Sequence, residues 1–249
     1  DSSLLSIEKN SFKFSKIQSL NLPSSVNDLQ EGWCNYTPKL ISVSISPQNP
    51  NFKYIDVKHQ ILAKKSDKKT ENYDVIIFAN RNIRYITIPE SVTCIDSCSF
   101  DCCENLQFIE IPENSNLKKI CKKAFARTSF KKIFIPSKVE EIQEDWIFCN
   151  FSLTKVLIST QNPHFKYMDK NQQIILGKSD KNSQIFDLII WSNKEIEKVS
   201  IPSSIKQIYS FSFNDCNNLQ KVKFERNSQL QKIGCSAFYS SAIEKITIP

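Results

Sequence analysis

The residues best able to do chemistry in this chain are its cysteines. Nine of the 249 residues are cysteine, and four of them form the run C-x₃-C-x₃-C-C at Cys94, Cys98, Cys102 and Cys103. Thiolates bind zinc and undergo redox reactions, so such a run can hold a metal, form a disulfide or pack as free thiols. The run lacks the C-x₂-C pair common in zinc sites. We therefore favour free, buried thiols and predict no metal site, with zinc or a disulfide near Cys102 or Cys103 as the alternatives.

Other residue types used in catalysis are sparse. Only two histidines occur, His59 and His164, and the three glycines are isolated, so neither a histidine-based active site nor a glycine-rich phosphate loop can be written. Acid pairs such as Glu140–Glu141 have no histidine close by in the sequence and are interpreted as solvated surface charge. The sequence predicts no enzyme, no cofactor and no small-molecule substrate.

Two Asn-x-Ser/Thr triplets are candidate glycosylation sites, at Asn35 and Asn150. Both become plausible glycan acceptors if the chain is secreted by a eukaryote. Such triplets also arise by chance in a chain rich in asparagine and serine. Unmodified asparagines in polar turns are therefore the favoured interpretation.

The whole chain is organised by a long internal repeat. NPNFKYID at Asn49 to Asp56 returns as NPHFKYMD at Asn162 to Asp169. The same shift superimposes Ile88-Pro89 on Ile201-Pro202 without insertions or deletions, and the chain holds about 2.2 copies of the unit. Self-similarity at a fixed period indicates a repeat architecture, here with a super-repeat of about 113 residues.

A shorter period divides each unit into coils. Ile-Pro or equivalent positions recur at Ile88, Ile111, Ile135, Ile158 and Ile201. The first three steps are alike, and the last is nearly twice as long. A period of roughly 20 to 29 residues carrying L-x-x-I-x-I is typical of leucine-rich repeats.

One coil shows how the repeat must fold. In LQFIEIP, Ile109 and Ile111 alternate with Phe108 and Glu110, which predicts a short strand with the isoleucines facing inward. Phe100, Cys103 and Leu106 are spaced by three, which suits a helical or 3₁₀ turn with all three on one face. Further strands of this kind are predicted at FKKIFIP, LTKVLIS, IEKVSIP and, at Ile243 to Pro249, IEKITIP. No single coil can bury its apolar face, so the coils must stack.

The pattern IP-x-S-V-x-x-I-x-x-x-(A/S)-F-x-x-C-x-x-L-x-x-I-x-I-P resembles the BspA-like class of leucine-rich repeats of bacterial and protist surface proteins. The resemblance implies a leucine-rich repeat solenoid, which belongs to the α/β superhelix class and is here strongly β-rich with short 3₁₀ or helical turns. It also implies a non-enzymatic adhesion or protein-binding role at the cell surface or outside the cell.

We predict one continuous solenoid over residues 1–249, with coils of about 23 residues. The long step from Ile158 to Ile201, and its copy earlier in the chain, predict hairpin-like modules inserted at 49–80 and 162–193, where apolar runs are parted by Lys-Ser-Asp-Lys turns; a long irregular coil is the alternative. The chain starts and stops inside coils without polar capping repeats. We therefore expect it to be a fragment of a longer array.

A candidate ligand-binding surface lies on the concave side of the predicted solenoid. There the outward strand positions carry a lysine in every coil from Lys132 onward, beside an apolar group early in the series. The predicted site residues are Phe108, Lys132, Phe134, Lys155, Leu157, Lys198, Lys221, Lys223 and Lys245. The alternative is that these lysines only keep an exposed strand soluble.

These residues predict a protein or an acidic glycan as the partner. The net charge of +7 is moderate and falls short of a dedicated nucleic-acid binder, so specific nucleic-acid binding is not expected. The longest apolar runs, such as Val75 to Ala79, are too short to span a bilayer, so membrane insertion of this segment is not expected either. The alternatives are an intracellular, cytoplasmic interaction scaffold, suggested by unpaired thiols, and polyanion binding through the lysines.

Overall fold

A computed structural model describes residues 2–67 and 69–249. The chain divides into two compact units, Asp1–Leu157 and Ile158–Pro249. Both units consist of short β-strands joined by turns, and the described residues contain no helix. The prediction of one continuous solenoid over 1–249 stays a prediction.

The described residues of the first unit form fourteen strands, the last of which extends one residue into the second unit. They are β1 (Ser6–Ile7), β2 (Ser19–Leu22), β3 (Asp28–Leu29), β4 (Ser42–Ile45), β5 (Phe52–Tyr54), β6 (Ile61–Lys64), β7 (Val75–Ala79), β8 (Tyr85–Thr87), β9 (Cys94–Ile95), β10 (Phe108–Glu110), β11 (Lys119–Ile120), β12 (Lys132–Ile135), β13 (Glu141–Ile142) and β14 (Lys155–Ile158).

The second unit contains seven further strands. They are β15 (Lys166–Tyr167), β16 (Ile174–Gly177), β17 (Leu188–Ser192), β18 (Lys198–Ile201), β19 (Gln207–Ile208), β20 (Lys221–Phe224) and β21 (Lys232–Ile233). Residues 243–249, predicted as a strand, do not form one. Ile243 and Ile246 are half-buried and pack against the core of this unit, whereas Ile248 is 52% exposed.

Strands at the same position of successive coils pair in parallel. The longer ones form the pairs β2–β4, β8–β10, β12–β14 and β18–β20, and Ile86 lies opposite Ile109 of the next coil. The two-residue strands form a second row, with β9, β11 and β13 adjacent in one sheet and β19 beside β21 in another. Each coil therefore contributes one strand to each row, which is the architecture of a β-solenoid.

The core lies between the two rows of strands, as the alternation predicts. Ile109 and Ile133 are 9% and 1% exposed, whereas Phe108 is 70% exposed. Phe100, Cys103 and Leu106 are fully buried. The predicted inward and outward phase of the strands is therefore confirmed.

The turn through Phe100 is a series of β-turns rather than a 3₁₀ helix. The amides of Cys98, Phe100 and Cys102 donate to the carbonyls of the next coil at 3.3, 2.9 and 3.1 Å. The amides between them, such as that of Asp101, donate three residues back within their own coil. Alternate amides thus donate to the next coil and to their own coil, a pattern that a regular helix cannot provide because all its amides point along one axis.

Left-handed residues produce this alternation. Seven coils carry two residues with positive φ, four positions apart. The pairs are Asn10/Phe14, Gly32/Tyr36, Cys98/Cys102, Lys123/Arg127, Asp145/Cys149, Phe211/Asp215 and Ser236/Ser240. Only one of these fourteen residues is glycine, so thirteen side chains adopt a conformation that costs roughly 1–2 kcal/mol each. Hydrogen bonds between coils must offset that strain.

Residues 49–80 and 162–193 each add antiparallel strands to the second row. β5 pairs with β6 and β6 with β7, and β7 then pairs in parallel with β9. β15, β16 and β17 repeat this arrangement before β19. A β-bulge shifts the strand register between Leu62 and Ala63, and another does so between Ile175 and Leu176. These are equivalent positions of the long repeat, so the two copies share the irregularity as well as the strands.

An aspartate holds each of these segments closed. The carboxylate of Asp74 accepts the amide of Ser66 at 2.9 Å and the hydroxyl of Thr93 at 2.6 Å. Its counterpart Asp187 accepts the amide and the hydroxyl of Ser179 at 2.8 and 2.6 Å. Burial raises the pKa of each carboxyl, but the hydrogen bonds outweigh it and the pKa values are lowered. Each carboxylate therefore stabilises the folded chain at pH values above its pKa in the unfolded state. This stabilisation is lost as the pH falls through its lower pKa in the folded state.

Buried side chains connect the turns before and after residues 49–80. The fully buried carboxylate of Asp101 accepts the amide of Tyr36 at 2.6 Å and pairs with Arg127 at 2.5 Å. Arg81 is 2% exposed and donates to the carbonyl of Ser99 at 3.0 Å and to the sulfur of Cys34 at 3.2 Å. Side chains thus replace the backbone contacts that an ordinary coil would make at this level.

Because Ile109 faces the core, a charged side chain at this position should lower the stability of the chain. Replacing Ile109 with aspartate places an unpaired carboxylate between the two rows of strands, and should destabilise the chain by about 3 kcal/mol or more. Thermal unfolding followed by circular dichroism should show the loss. Phe108→Asp, one residue away but outward, is the matched control and should unfold near the wild-type temperature. Equal melting temperatures for the two variants would show that the phase is wrong.

Candidate binding face

In each unit, we call the outward side of the longer parallel strands its strand face: β2, β4, β8, β10, β12 and β14 in the first unit, and β18 and β20 in the second. Eight of the nine predicted site residues lie on one or the other of these faces. Lys132, Lys155, Lys198, Lys221 and Lys223 are exposed there, while Phe134 and Leu157 are half-buried. Lys245 is exposed but lies outside the strands. The role of the lysine series from Lys132 to Lys245 in ligand binding stays a prediction.

In the first unit the strand face contains a groove of about 710 Å³. Phe108, Lys132 and Phe134 line it together with Glu110 and Lys131. The structure therefore brings three of the predicted residues into one concave site. Lys155 and Leu157 lie on the adjacent strand β14 and do not line the groove.

A second aromatic residue stands beside Phe108. Tyr85 lies directly opposite it in the β8–β10 pair and is 58% exposed. The ammonium of Lys58 lies 4.6 Å from the Tyr85 ring centre and donates a hydrogen bond to the phenol oxygen. Strand alternation places Tyr85 on the outward side of β8, but Tyr85 was not among the predicted site residues. Its position one coil before Phe108 was the available signal, whereas the approach of Lys58 from residues 49–80 left no trace in the sequence pattern.

The second unit has a groove of about 550 Å³ on its own strand face. Lys198 lies opposite Lys221, and Lys223 opposite Ser200, in the β18–β20 pair. The charged lining consists of Lys198, Lys221 and Lys223 with Asp169, Glu195 and Glu197. Three carboxylates thus balance three ammonium groups, which weakens the attraction for a polyanion that the lysines alone would exert. These acids were missed because they come from neighbouring loops.

The cysteines contribute to packing rather than to a site on this face. Six are buried, including Cys98, Cys102 and Cys103 of the four-cysteine run. Burial raises the pKa of Cys102 to about 11 and that of Cys103 to about 12, so these thiols are protonated at neutral pH. Within residues 2–67 and 69–249, no disulfide forms and no group of three or more potential metal ligands comes together.

Surface ion pairs account for two of the acids beside the strands. Glu141 pairs with Lys119 at 3.1 Å and Asp145 with Lys122 at 3.2 Å. The Lys119–Glu141 pair is exposed, and exposed pairs of this kind contribute at most about 1 kcal/mol.

The two candidate glycosylation residues are buried. Asn35 and Asn150 are 8% and 4% exposed. The Asn150 amide group donates to the hydroxyl of Thr128 at 3.1 Å, and its carbonyl oxygen accepts the amides of Ser152 and Leu153. The burial of both side chains favours unmodified asparagines.

Comparison with known proteins identifies the family. The BspA type leucine rich repeat region matches residues 1–58, 71–172 and 184–249 in six copies. The chain belongs to the BspA-type leucine-rich repeat family. The predicted family and the solenoid fold are thereby confirmed. No curated protein matches the chain.

Several solved structures share this fold. The BspA-type chain is similar to the pneumococcal vaccine antigen PcpA, with 20% identity and a TM-score of 0.61 over 99% of this chain and 56% of that one. It is similar to a leucine rich cell surface protein from Faecalibacterium prausnitzii A2-165, with 19% identity and a TM-score of 0.55 over 94% and 62% of the two chains. A leucine-rich repeat protein from Eubacterium ventriosum ATCC 27560 gives 17% identity and a TM-score of 0.57 over 99% and 64%.

The BspA-type chain spans less than two thirds of the length of each of these three proteins. At these identities the likeness shows the fold alone. In the part of the chain that the structure describes, no helix has the length and apolar character needed to cross a membrane.

The burial of Asn35 and Asn150 predicts that the folded chain carries no N-linked glycan. Expressed through a eukaryotic secretory pathway, the protein should keep its electrophoretic mobility after treatment with peptide N-glycosidase, and intact mass should equal that of the bare chain. A fully glycosylated product that still melts cooperatively would contradict the observed burial of these side chains.

Proposed function

We propose that this chain is a non-enzymatic protein-binding module of a surface or secreted adhesion protein, and that it binds its ligand on the strand face. The family consists of repeat solenoids that generally bind proteins. Two of the similar structures are described as a vaccine antigen and a cell surface protein, which supports the surface location.

The exposed aromatic pair Tyr85 and Phe108 is the observation that carries the proposal. Large apolar side chains that stay in water on a folded protein mark binding surfaces when they lie together. These two lie directly opposite each other on neighbouring strands, and Phe108 and Phe134 line the groove of about 710 Å³. Rigid strands hold all three, so a ligand that covers them loses little conformational freedom of the receptor.

Charge at the edge of the groove selects the partner. Lys131 and Lys132 line it with Glu110, whose carboxylate accepts the Thr87 hydroxyl at 2.9 Å. The mixture favours a protein segment with apolar side chains and one or two acids over a uniform polyanion. The balanced charges in the second unit point the same way.

Substitutions on the strand face should separate the two contributions to binding. The intact chain is screened against extracellular proteins and sulfated glycans at two salt concentrations, and each ligand is then tested with variants. Phe108→Ala should weaken binding at least about tenfold, mainly through faster dissociation, because buried aromatic contacts act after docking. Lys132→Glu should mainly slow association and reduce its dependence on salt.

Two matched controls complete the test. Tyr239→Ala removes an aromatic side chain that is 60% exposed but lies in a turn, and Lys118→Glu reverses an exposed charge beside the second row of strands rather than on the strand face. Both should bind as the wild type does. Ligands that ignore Phe108 and Lys132 but respond to changes near Tyr54 and Tyr167 would overturn the strand-face proposal in favour of residues 49–80 and 162–193.

A further inference from the structure

Two cysteines from adjacent coils lie in contact in the second row of strands. The sulfurs of Cys94 and Cys121 are 3.7 Å apart. Cys94 opens β9, and Cys121 directly follows β11, the strand that pairs with β9 in parallel. Their neighbours Ile95 and Ile120 are fully buried, so by alternation both thiols lie on the outer side of the sheet.

The two thiols differ in their access to solvent. Cys121 is 6% exposed, whereas Cys94 is only partly buried. The neighbouring Cys94 thiol, together with burial, raises the pKa of Cys121. Lys119 lies directly opposite Cys94 in the β9–β11 register and interacts electrostatically with both sulfurs. A small oxidant therefore reaches Cys94 first.

We propose that Cys94 and Cys121 are a modification site at which hydrogen peroxide forms a reversible disulfide between adjacent coils. The thiolate of Cys94 attacks peroxide, which breaks the O–O bond and gives a sulfenic acid and hydroxide. The sulfur of Cys121 then attacks the Cys94 sulfur and displaces hydroxide, which leaves as water with the Cys121 proton. One peroxide is reduced to two waters, and two thiols are oxidised to one disulfide.

The geometry places this reaction within reach of a small movement. The sulfurs must approach by roughly 1.7 Å to reach the disulfide bond length of about 2.05 Å. The sulfur of a cysteine lies roughly 1.7 Å from the Cα–Cβ axis. Rotation about χ1 can therefore move it by a distance of that order. Cys121 is held close by its own amide, which donates to the Ile95 carbonyl at 2.9 Å.

The long repeat does not copy the cysteine pair. The long repeat places Gln207 and Gly234 at the corresponding positions of the second unit, so the thiol pair has no copy there. A side chain at Gly234 would overlap the backbone of Ser210. A disulfide can therefore form at this position in the first unit but not at the equivalent position of the second.

A disulfide here would clamp the coil that presents Phe108. The chain between Cys94 and Cys121 includes all of β10, and the bond would join the coil borders on either side of it. Closing a loop of this length restricts the unfolded chain and raises the melting temperature. Oxidising conditions would thus stiffen the part of the chain that contains the groove, whether or not the groove binds a ligand.

Peptide mapping of the intact oxidised chain tests the proposal directly. The protein is treated with hydrogen peroxide, remaining thiols are alkylated, and disulfide-linked peptides are identified by mass spectrometry. We expect a Cys94–Cys121 peptide within single chains and a melting temperature higher by about 5 °C or more, reversed by dithiothreitol. Cys94→Ser should abolish both effects.

The exposed thiol of Cys235 provides the control, because it can link two chains but has no role in the proposed bond. Cys235→Ser should keep the linked peptide and the shift in melting temperature. The proposal is overturned if Cys94 oxidises to sulfinic acid while Cys121 stays reduced, or if the only disulfide found joins two chains and disappears with Cys235→Ser. Mapping of the wild-type chain decides the matter even where Cys94→Ser folds poorly.

Discussion

The structure depends on backbone hydrogen bonds that run from each coil to the next. A single coil has two short strands and a turn, and it can bury none of its apolar side chains alone. The Phe100 amide donates to Ala124 and the Phe125 amide to Trp146, each at 2.9 Å, and these bonds recur from turn to turn. Stacking buries the phenylalanines of the turns, and it also aligns the outward strand positions into a face.

Turn strain and stacking are linked by the left-handed residues. Because glycine is rare, residues such as Phe14, Tyr36 and Phe211 adopt positive φ and store strain that an isolated coil would release. The bonded neighbour makes that conformation favourable. Where residues 49–80 interrupt the backbone pattern, Asp101 and Arg81 supply the missing contacts with buried side chains. Removing either would leave a buried partner uncompensated, which is costly.

The periodic part of the structure could be predicted, and the exceptional part could not. The repeat phase placed Ile109 inward and Phe108 outward because strand alternation is a local property of the chain. The turn geometry was mistaken for 3₁₀, since spacing by three does not distinguish a helix from β-turns that donate to a neighbouring coil. The acids beside Lys198 and the cation beside Tyr85 come from loops whose path depends on tertiary packing. The contact between Cys94 and Cys121 could not be predicted either, because it depends on the register between strands of adjacent coils.

Hydrogen exchange of the turn amides tests most directly whether stacking holds the coils together. The amides of Phe100, Phe125 and Phe213 lie in turns but donate to the next coil at 2.9, 2.9 and 2.8 Å. Residue-resolved exchange measured by NMR should show them protected to within about tenfold of the buried strand amides, because both open only when coils separate. Exchange of these three amides at the rate of the fully exposed Val57 would contradict the account, since the turns would then be ordered without the bonds between coils.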